Sequence, residues 1–243
     1  MFHTFFYEPI YNLVAFVLTI LPLHDIGAAI IVVTLVVKFV LLPINISALR
    51  TQYLMKKVEP EMKEIKELQK TDPQASAKKM VEMYKREKIN PFSSIFGMIL
   101  QIPIFFAMYF VFSKGLFDDK ESLYSFVTFP ETLHTIAFGV FDVTEKNIVV
   151  ALLAGASSYF LAKRQTQTMT SAPKKQGEEE SFQDHLMKSM RIQLLYVVPV
   201  IVAVSGAALP SALALYWTVS NVVSYGQDIY VKNKLAHLKP EHH

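Results

Sequence analysis

The chain has 243 residues, of which 52% are hydrophobic and 19% charged, and its mean hydropathy is +0.30. This composition is too apolar for a soluble domain that must cover itself with polar side chains, so it indicates an integral membrane protein. The net charge of +3 is modest. There is no cysteine, which excludes disulfides, thiolate metal sites and cysteine nucleophiles.

The first segment, 1–25, predicts a helix that lies in the outer membrane interface. Its apolar run EPIYNLVAFVLTILPL places Glu8, Asn12 and Thr19 on one side of a helical wheel. The leader MFHTFF lacks the basic region of a signal peptide. We favour the interfacial helix, although a short extra span with the N-terminus inside fits the charge distribution equally well.

Four apolar stretches, the first interrupted by Lys38, are long enough to predict transmembrane helices, since a helix needs about 20 apolar residues to cross a bilayer, and dividing the longest gives five spans. Gly206 and Pro210 interrupt the longest stretch, so we divide it at a tight turn near Ser205–Ser211. The expected fold is all-α. The predicted segments are a span at 26–46, a cytoplasmic helical hairpin at 47–90, a span at 91–112, an outer loop at 113–146, a span at 147–162, a cytoplasmic loop at 163–191, spans at 192–207 and 210–227, and a basic cytoplasmic tail at 228–243.

Lysine and arginine predict the orientation, because cationic loops stay on the cytoplasmic side of the membrane. Segments 45–91 and 163–191 and the tail after Gln227 hold 20 of the 24 basic residues, whereas 113–146 holds three and 1–25 none. The N-terminus is therefore expected outside and the C-terminus in the cytoplasm.

The cytoplasmic segment from Ser47 to Lys88 predicts two antiparallel helices. Asp72 is the expected N-cap of the second helix, with Pro73 at its first position. Acidic residues interleave with the basic ones here, which favours a solvated charged face over a nucleic-acid site. The apolar positions at helical spacing are Met55, Val58, Met62 and Ile65 on the first helix and Ala77, Val81 and Tyr84 on the second.

Lys38 stands near the centre of an otherwise apolar run, IIVVTLVVKFVLLPI. A charge at this depth costs between ~2.5 and more than ~10 kcal/mol, so it should face a protein interior or water. Snorkelling to an interface is the alternative, and the central position of Lys38 argues against it. Thr34 and Asn45 fall on the same side of the wheel.

Other spans offer polar positions that could meet Lys38. Each could be a hydrogen-bonding contact between helices, but together they predict a wet cavity open to the cytoplasmic half. Asp25 and Asp228 fall at the edges of their spans, so neither carboxylate is expected to pair with Lys38. An unpaired buried cation predicts a binding site for an anion. The candidate groove residues are Lys38, Thr34, Asn45, Ser94, Gln101, Trp217, Ser220, Asn221 and Ser224.

The sequence contains no pattern typical of an enzyme. Its seven histidines are scattered without ligand spacing, and neither a glycine-rich phosphate loop nor an intramembrane protease motif occurs. We therefore expect no enzyme activity, no cofactor and no metal.

Three motifs carry a resemblance: KFVLLPI, INPFSSIFGMILQIPIFFAMY and ALPSALALYWTVSNVVSYGQ, with the charged hairpin between the first two. From about Ile26 to Lys232 the chain resembles the YidC-type membrane protein insertases, the bacterial branch of the Oxa family. The resemblance implies a bacterial plasma membrane protein with five spans around a hydrophilic groove that is closed to the outside. It also implies nascent membrane proteins as substrates, and the ribosome, the Sec translocon and membrane lipids as partners.

The resemblance places the groove cation at Lys38, the second-span glutamine at Gln101 and the fifth-span aromatic at Trp217. Two side-chain features of the spans depart from the family. Lys38 replaces the usual arginine and so lacks its planar, permanently ionised fork. The glutamines expected near the end of the third span are replaced around Leu161–Ala162. The large extracytoplasmic domain of Gram-negative members is also absent, since 113–146 is the only long outer loop.

The implied mechanism is physical: a cation in a wet half-channel lowers the cost of moving acidic substrate segments through hydrocarbon. Two other classes stay open from the residues, a small-anion transporter or channel that binds at Lys38, and a passive scaffold for membrane proteins. The sequence shows neither repeated halves nor helices broken in paired positions, which argues against the transporter.

Overall fold

The computed structural model describes residues 1–90, 92–113, 119–167 and 188–236, except for the side chains of Ser94, Ile95, Met98 and Lys120. This part of the chain is largely helical, as predicted. Its only strands form one short hairpin, β1 Ile136–Ala137 with β2 Phe141–Asp142. The helices are α1 Glu8–Ile20, α2 Ile26–Val40, α3 Leu42–Lys57, α4 Glu59–Leu68, α5 Pro73–Arg86, α6 Phe92–Ser113, α7 Ile148–Gln167, α8 Lys188–Ala208 and α9 Ser211–Ala236. A π-helical turn, His3–Tyr7, precedes α1, a second, Gln193–Val197, lies within α8, and short 3-10 turns occupy Pro22–His24 and Lys120–Ser122.

Helices α2 and α3 meet at a bend of 63°. Pro43 lies in the first turn of α3, where it has no N–H to donate and its ring crowds the carbonyl group four residues earlier. The predicted span 26–46 is therefore not one straight helix. Asn45, which the wheel placed in line with Lys38, lies beyond the bend.

The largest apolar cluster joins α1, α2, α6 and the first turns of α9, and we call it the closed end. Long aliphatic and aromatic side chains interdigitate there without exposure to solvent. Fully buried examples from the four helices are Tyr11, Leu18, Ile30, Met108 and Leu213.

The polar side of α1 binds the outer loop. Asn12 donates through Nδ2 to the carbonyl oxygen of Ser122 at 2.8 Å, and its Oδ1 accepts from the backbone N–H of Tyr124 at 2.7 Å. Thr19 donates to the carbonyl oxygen of Thr128 at 2.8 Å. The two side chains therefore act as hydrogen-bond partners of loop backbone groups, which are costly to bury without a partner. The position of α1 in the membrane interface stays a prediction.

The β-hairpin covers the start of α2. Asp25 caps α2 by accepting from the Ala28 N–H at 2.9 Å, and its second oxygen accepts from the Phe138 N–H at 2.7 Å. Gly27 faces Ala137 so closely that a Cβ atom on Gly27 would lie 2.3 Å from the Cβ atom of Ala137. The outer loop is thus fastened onto the closed end.

Helices α4 and α5 form an antiparallel hairpin with an apolar cluster of its own. Asp72 caps α5 through the N–H groups of residues 74 and 75, with Pro73 following, as predicted. Of the predicted apolar face of α5, Tyr84 packs against this cluster, whereas Ala77 and Val81 are exposed and Ser76 is buried in their stead. The buried residues of this cluster are Val58, Met62, Ile65, Met83 and Ile89.

Helices α7, α8 and α9 pack closely through small residues. A Cβ atom on Gly155 would lie 2.7 Å from that of Ala203, and one on Gly206 would lie 3.3 Å from that of Ala151. The break between α8 and α9 falls at residues 209–210, within the predicted turn.

Among the described residues, one continuous helix, α8, is long and apolar enough to cross a bilayer. The bent pair α2 and α3 adds a second if it counts as one span, and Ile99–Ser113 is a shorter apolar helix. The division into five spans therefore stays a prediction. Parts of the predicted loop 163–191 and tail 228–243 lie outside the described residues, as do residues 114–118 of the outer loop.

Candidate functional site

Lys38 lies in the last turn of α2 and is 7% exposed. Its Nζ atom donates to the hydroxyl oxygen of Ser224 on α9 at 3.0 Å. None of the ion pairs among the described residues includes Lys38. The carbonyl end of α2 favours a cation there, but the charge has a neutral side chain as its partner.

A buried ion pair lies on the same helix α9, beyond Ser224. Asp228 accepts from Arg164 Nε on α7, and its other oxygen accepts from the Tyr53 hydroxyl on α3 at 2.9 Å. The Asp228 side chain is only 2% exposed, whereas Arg164 is 20% exposed and also lies over the ring of Tyr225, 5.3 Å from its centre. Three helices therefore meet at one neutralised carboxylate.

Asn45 forms a further polar contact between α3 and α9. Its Nδ2 atom donates to Gln227 Oε1 at 3.4 Å, so α3 contacts α9 just after the bend. This region is polar where the closed end is apolar. We call it the polar mouth, and it consists of Lys38, Asn45, Tyr53, Arg164, Ser224, Gln227 and Asp228.

Deeper polar residues of α9 pair with neighbouring helices. Gln101 of α6 donates to the Tyr216 hydroxyl at 2.8 Å. Asn221 donates to the hydroxyl groups of Ser157 and Ser158 on α7 at 3.0 and 2.8 Å. Polar contacts thus link α9 to α6 and α7 above the polar mouth.

The remaining predicted residues have less polar surroundings. Trp217 stacks on Phe105, with ring centres 5.2 Å apart and planes 10° apart. Ser220 is buried. Thr34 is buried one turn before Lys38 on α2 and donates to the carbonyl oxygen of Ile30 in its own helix. The side chain of Ser94 lies outside the described residues.

Several residues of the polar mouth were not predicted from the sequence. Tyr53 and Arg164 were assigned to cytoplasmic segments, and Asp228 was set aside as an edge residue. Asp228 does continue a helical 3-4 spacing, so the sequence held a signal for that residue; the positions are Trp217, Ser220, Asn221, Ser224 and Asp228. Nothing in the sequence pairs Arg164 with a residue 64 positions away.

The helical hairpin of α4 and α5 carries exposed charges in pairs. Arg86 binds Glu61 across the two helices, and Lys57 and Arg86 both donate to Glu87, at 3.3 and 3.4 Å. Partial burial acts to raise the pKa of Glu87, but the hydrogen bonds from Lys57 and Arg86 lower it below its usual value. These pairs face solvent and contribute little to stability.

The chemistry open to the polar mouth is electrostatic. Within the described ranges no group of three or more histidine, aspartate or glutamate side chains is arranged to hold a metal ion. A buried lysine with a hydroxyl partner can exchange that partner for a carboxylate, because a charged acceptor forms the stronger hydrogen bond.

Comparison with known proteins agrees with the motif resemblance. Residues 19–238 match the family described as 60Kd inner membrane protein. A protein of Clostridium tetani named membrane protein insertase YidC is 31% identical over 213 residues, which cover 87% of this chain and 83% of that protein. Proteins of the same name from Magnetococcus marinus and Francisella tularensis subsp. novicida are each 30% identical and match over 97% and 83% of this chain, but over only 37% and 31% of their own longer chains. The chain therefore belongs to the 60Kd inner membrane protein family, the YidC and Oxa family that its motifs resemble.

Proposed function

We propose that this protein is a membrane protein insertase in which Lys38 attracts polar or acidic segments of nascent membrane proteins. The observation that carries the proposal is the neutral surrounding of a buried cation: Lys38 contacts a hydroxyl group and forms no ion pair among the described residues. The name shared by the relatives, membrane protein insertase, supports the same activity.

The proposed mechanism lowers the cost of moving a carboxylate through hydrocarbon. A substrate segment enters at the polar mouth, where its carboxylate replaces Ser224 as the partner of Lys38. The described residues of the closed end form a packed apolar cluster, and we infer that the apolar part of the substrate leaves sideways into lipid. No covalent bond is made or broken in this scheme.

The proposal includes the topology expected from the charge distribution. Five spans cross a bacterial plasma membrane, with the N-terminus outside and the C-terminus in the cytoplasm. The cytoplasmic hairpin and the basic tail receive the substrate or the ribosome, the latter through ribosomal RNA phosphates. The protein acts alone or beside the Sec translocon, and membrane lipids accept the product.

The charge of Lys38 is tested by crossing variants with substrates. Purified protein in liposomes is given a small single-pass substrate with an acidic, neutral or basic outer tail. Lys38→Arg should keep insertion, Lys38→Ala should weaken it for acidic tails, and Lys38→Glu should abolish it for acidic tails, since like charges in a low-dielectric groove repel. Insertion by the purified protein alone also separates this function from a passive scaffold and from an anion transporter.

Substrate charge is the control in this experiment. A neutral tail should depend little on Lys38, and a basic tail should insert better with Lys38→Glu than with the unchanged protein. Equal losses for all three tails, with each variant folded and present at normal levels, would show that Lys38 has only a structural role.

The receiving role of the hairpin has a separate test. Its apolar cluster is distinct from the closed end, so replacing residues 59–87 by a short Gly/Ser linker should leave thermal unfolding of the remaining protein unchanged. Insertion in liposomes should fall for all tails. Full activity of the shortened protein would refute the receiving role and leave the role of Lys38 intact.

A further inference from the structure

We propose that Arg164 and Tyr53 hold the Asp228 carboxylate away from Lys38 and so keep the lysine available to a substrate carboxylate. This inference rests on the proposed function of Lys38. It makes Arg164 and Tyr53 positioning residues of the polar mouth.

Asp228 lies within reach of Lys38. Ser224, whose hydroxyl contacts Lys38 Nζ at 3.0 Å, precedes Asp228 by four residues on α9. Residues four apart on a helix share a face, with Cβ atoms about 6 Å apart. A lysine head on a flexible four-carbon stem can move over that distance.

Asp228 is nevertheless committed to other partners. One carboxylate oxygen accepts from Arg164 and the other from Tyr53, so each oxygen has a donor, and the donors come from two different helices. The pair is almost fully buried on the carboxylate side. Arg164 is itself held by its stacking over the ring of Tyr225.

Loss of Arg164 alone would leave a buried carboxylate without a countercharge. Such a group is strongly unfavourable until another cation reaches it. The neutral partner of Lys38, Ser224, lies one helical turn before Asp228, so Lys38 is the buried cation that Asp228 would bind. Lys232, one turn after Asp228, is exposed to solvent. A lysine paired in this way attracts a substrate carboxylate much less, because the two charges of the pair largely cancel at the distance of the substrate.

A purely structural tie between α3, α7 and α9 would use the same contacts, and the two explanations differ for the double variant. If Arg164 serves to neutralise Asp228, then removing both charges frees Lys38 again. If the contacts only fasten the helices, then removing both partners cannot restore what removing one has lost.

The experiment measures insertion of acidic-tailed and neutral-tailed single-pass substrates into liposomes. Arg164→Gln should lower insertion of acidic tails about tenfold and leave neutral tails nearly unchanged. Arg164→Gln combined with Asp228→Asn should return acidic tails to within about twofold of the unchanged protein, and Arg164→Lys should keep most of the activity. Lys146→Gln is the matched control, since it removes an exposed positive charge just before the first residue of α7, at the end of the helix far from Arg164.

The inference is overturned if the double variant is as defective as Arg164→Gln on acidic tails, or if Arg164→Gln lowers neutral tails equally. If Arg164→Gln does not accumulate, the comparison is made in Asp228→Asn protein, where removal of Arg164 should cost acidic tails less than about twofold and a larger loss refutes the inference. Lys38→Ala run in parallel separates the two proposals. A normal Lys38→Ala result refutes the proposed function, whereas a defective Lys38→Ala with a normal Arg164→Gln refutes only this inference.

Discussion

The same two helices, α2 and α9, meet in two different ways along their length. At the closed end, Ile30 and Leu213 lie in an apolar cluster that excludes solvent, whereas in the polar mouth Lys38 contacts Ser224. The apolar contacts at the closed end stabilise the folded state through burial and close packing. The contact between Lys38 and Ser224 contributes little to folding and leaves a charge with a replaceable partner. Stability and function are therefore expected to respond to mutations at opposite ends of one helix pair.

Removing a buried side chain at the closed end should have the largest effect on stability. Leu18 is fully buried on α1, so Leu18→Ala is expected to lower the free energy of unfolding by about 2–5 kcal/mol. Ile20 on the same helix is 62% exposed, and Ile20→Ala should change it by less than about 0.5 kcal/mol. Thermal or denaturant unfolding in detergent measures both.

The insertion assay extends this test to the comparison between the two ends. Whatever activity Leu18→Ala loses should be lost equally for acidic, neutral and basic tails. A change in tail preference would contradict the separation of the two ends.

A carboxylate placed at Ser224 should have the opposite profile. Ser224→Asp gives Lys38 a permanent ion partner, which at about 4 Å is worth several kcal/mol of attraction in a partly screened site. We expect the unfolding temperature of Ser224→Asp to be unchanged or slightly higher. Substrates with acidic tails should insert about tenfold less well, a loss in the same direction as for Lys38→Ala.

Ser224→Asn is the matched control for this change, because it has nearly the same shape as the aspartate and can accept a hydrogen bond without a charge. It should keep tail preference. Equal losses in the aspartate and asparagine variants would mean that the size of the side chain, rather than its charge, decides the result.

The smallest expected effect concerns the pH dependence of stability at Asp142, in the β-hairpin that covers the closed end. Hydrogen bonds from the Thr144 hydroxyl and backbone N–H, joined by the Thr135 hydroxyl, lower the pKa of Asp142 below its ordinary value. Its contribution to stability is therefore complete above the unfolded pKa of about 3.9 and is lost as the pH falls through the lower folded pKa. Unfolding of the unchanged protein and of Asp142→Asn, followed from pH 6 to acid, measures it.

The difference between the two proteins should shrink only below about pH 4. Tail preference should not respond to Asp142→Asn, since the polar mouth lies at the other end of α2. A loss of stability that begins near neutral pH would require another titrating group.

The sequence alone was sufficient to predict the helical class and to single out Lys38, which is buried against Ser224 and whose role stays a prediction. A lone cation within an apolar run is visible without any knowledge of packing, because its cost in hydrocarbon is large. Pairwise contacts between distant segments were not predictable. Arg164 and Asp228 belong to different helices, and a helical wheel treats each helix by itself.

Two features of the helices were not predicted. The wheel continued α2 through Pro43, so it missed the 63° bend, although Lys38 and Asn45 both lie in the polar mouth. On α5 the buried face includes Ser76, whose hydroxyl donates to the carbonyl oxygen of Ile65 at 2.8 Å. A buried serine satisfied in this way gives no apolar signal, and the prediction chose Ala77 instead.

The attachment of α9 determines how the polar mouth can move. Its first turn is fixed to the outer loop, because the Ser211 N–H donates to the Glu145 carbonyl oxygen at 2.7 Å and the Ala212 N–H to that of Val143 at 2.9 Å. From this anchor the 26-residue helix extends about 39 Å. The helix is thus a lever with its pivot at the closed end, and a tilt of about 5° would displace its far tip by about 3 Å. The polar mouth can then widen by leverage, while the pivot and the packed residues around it stay in place.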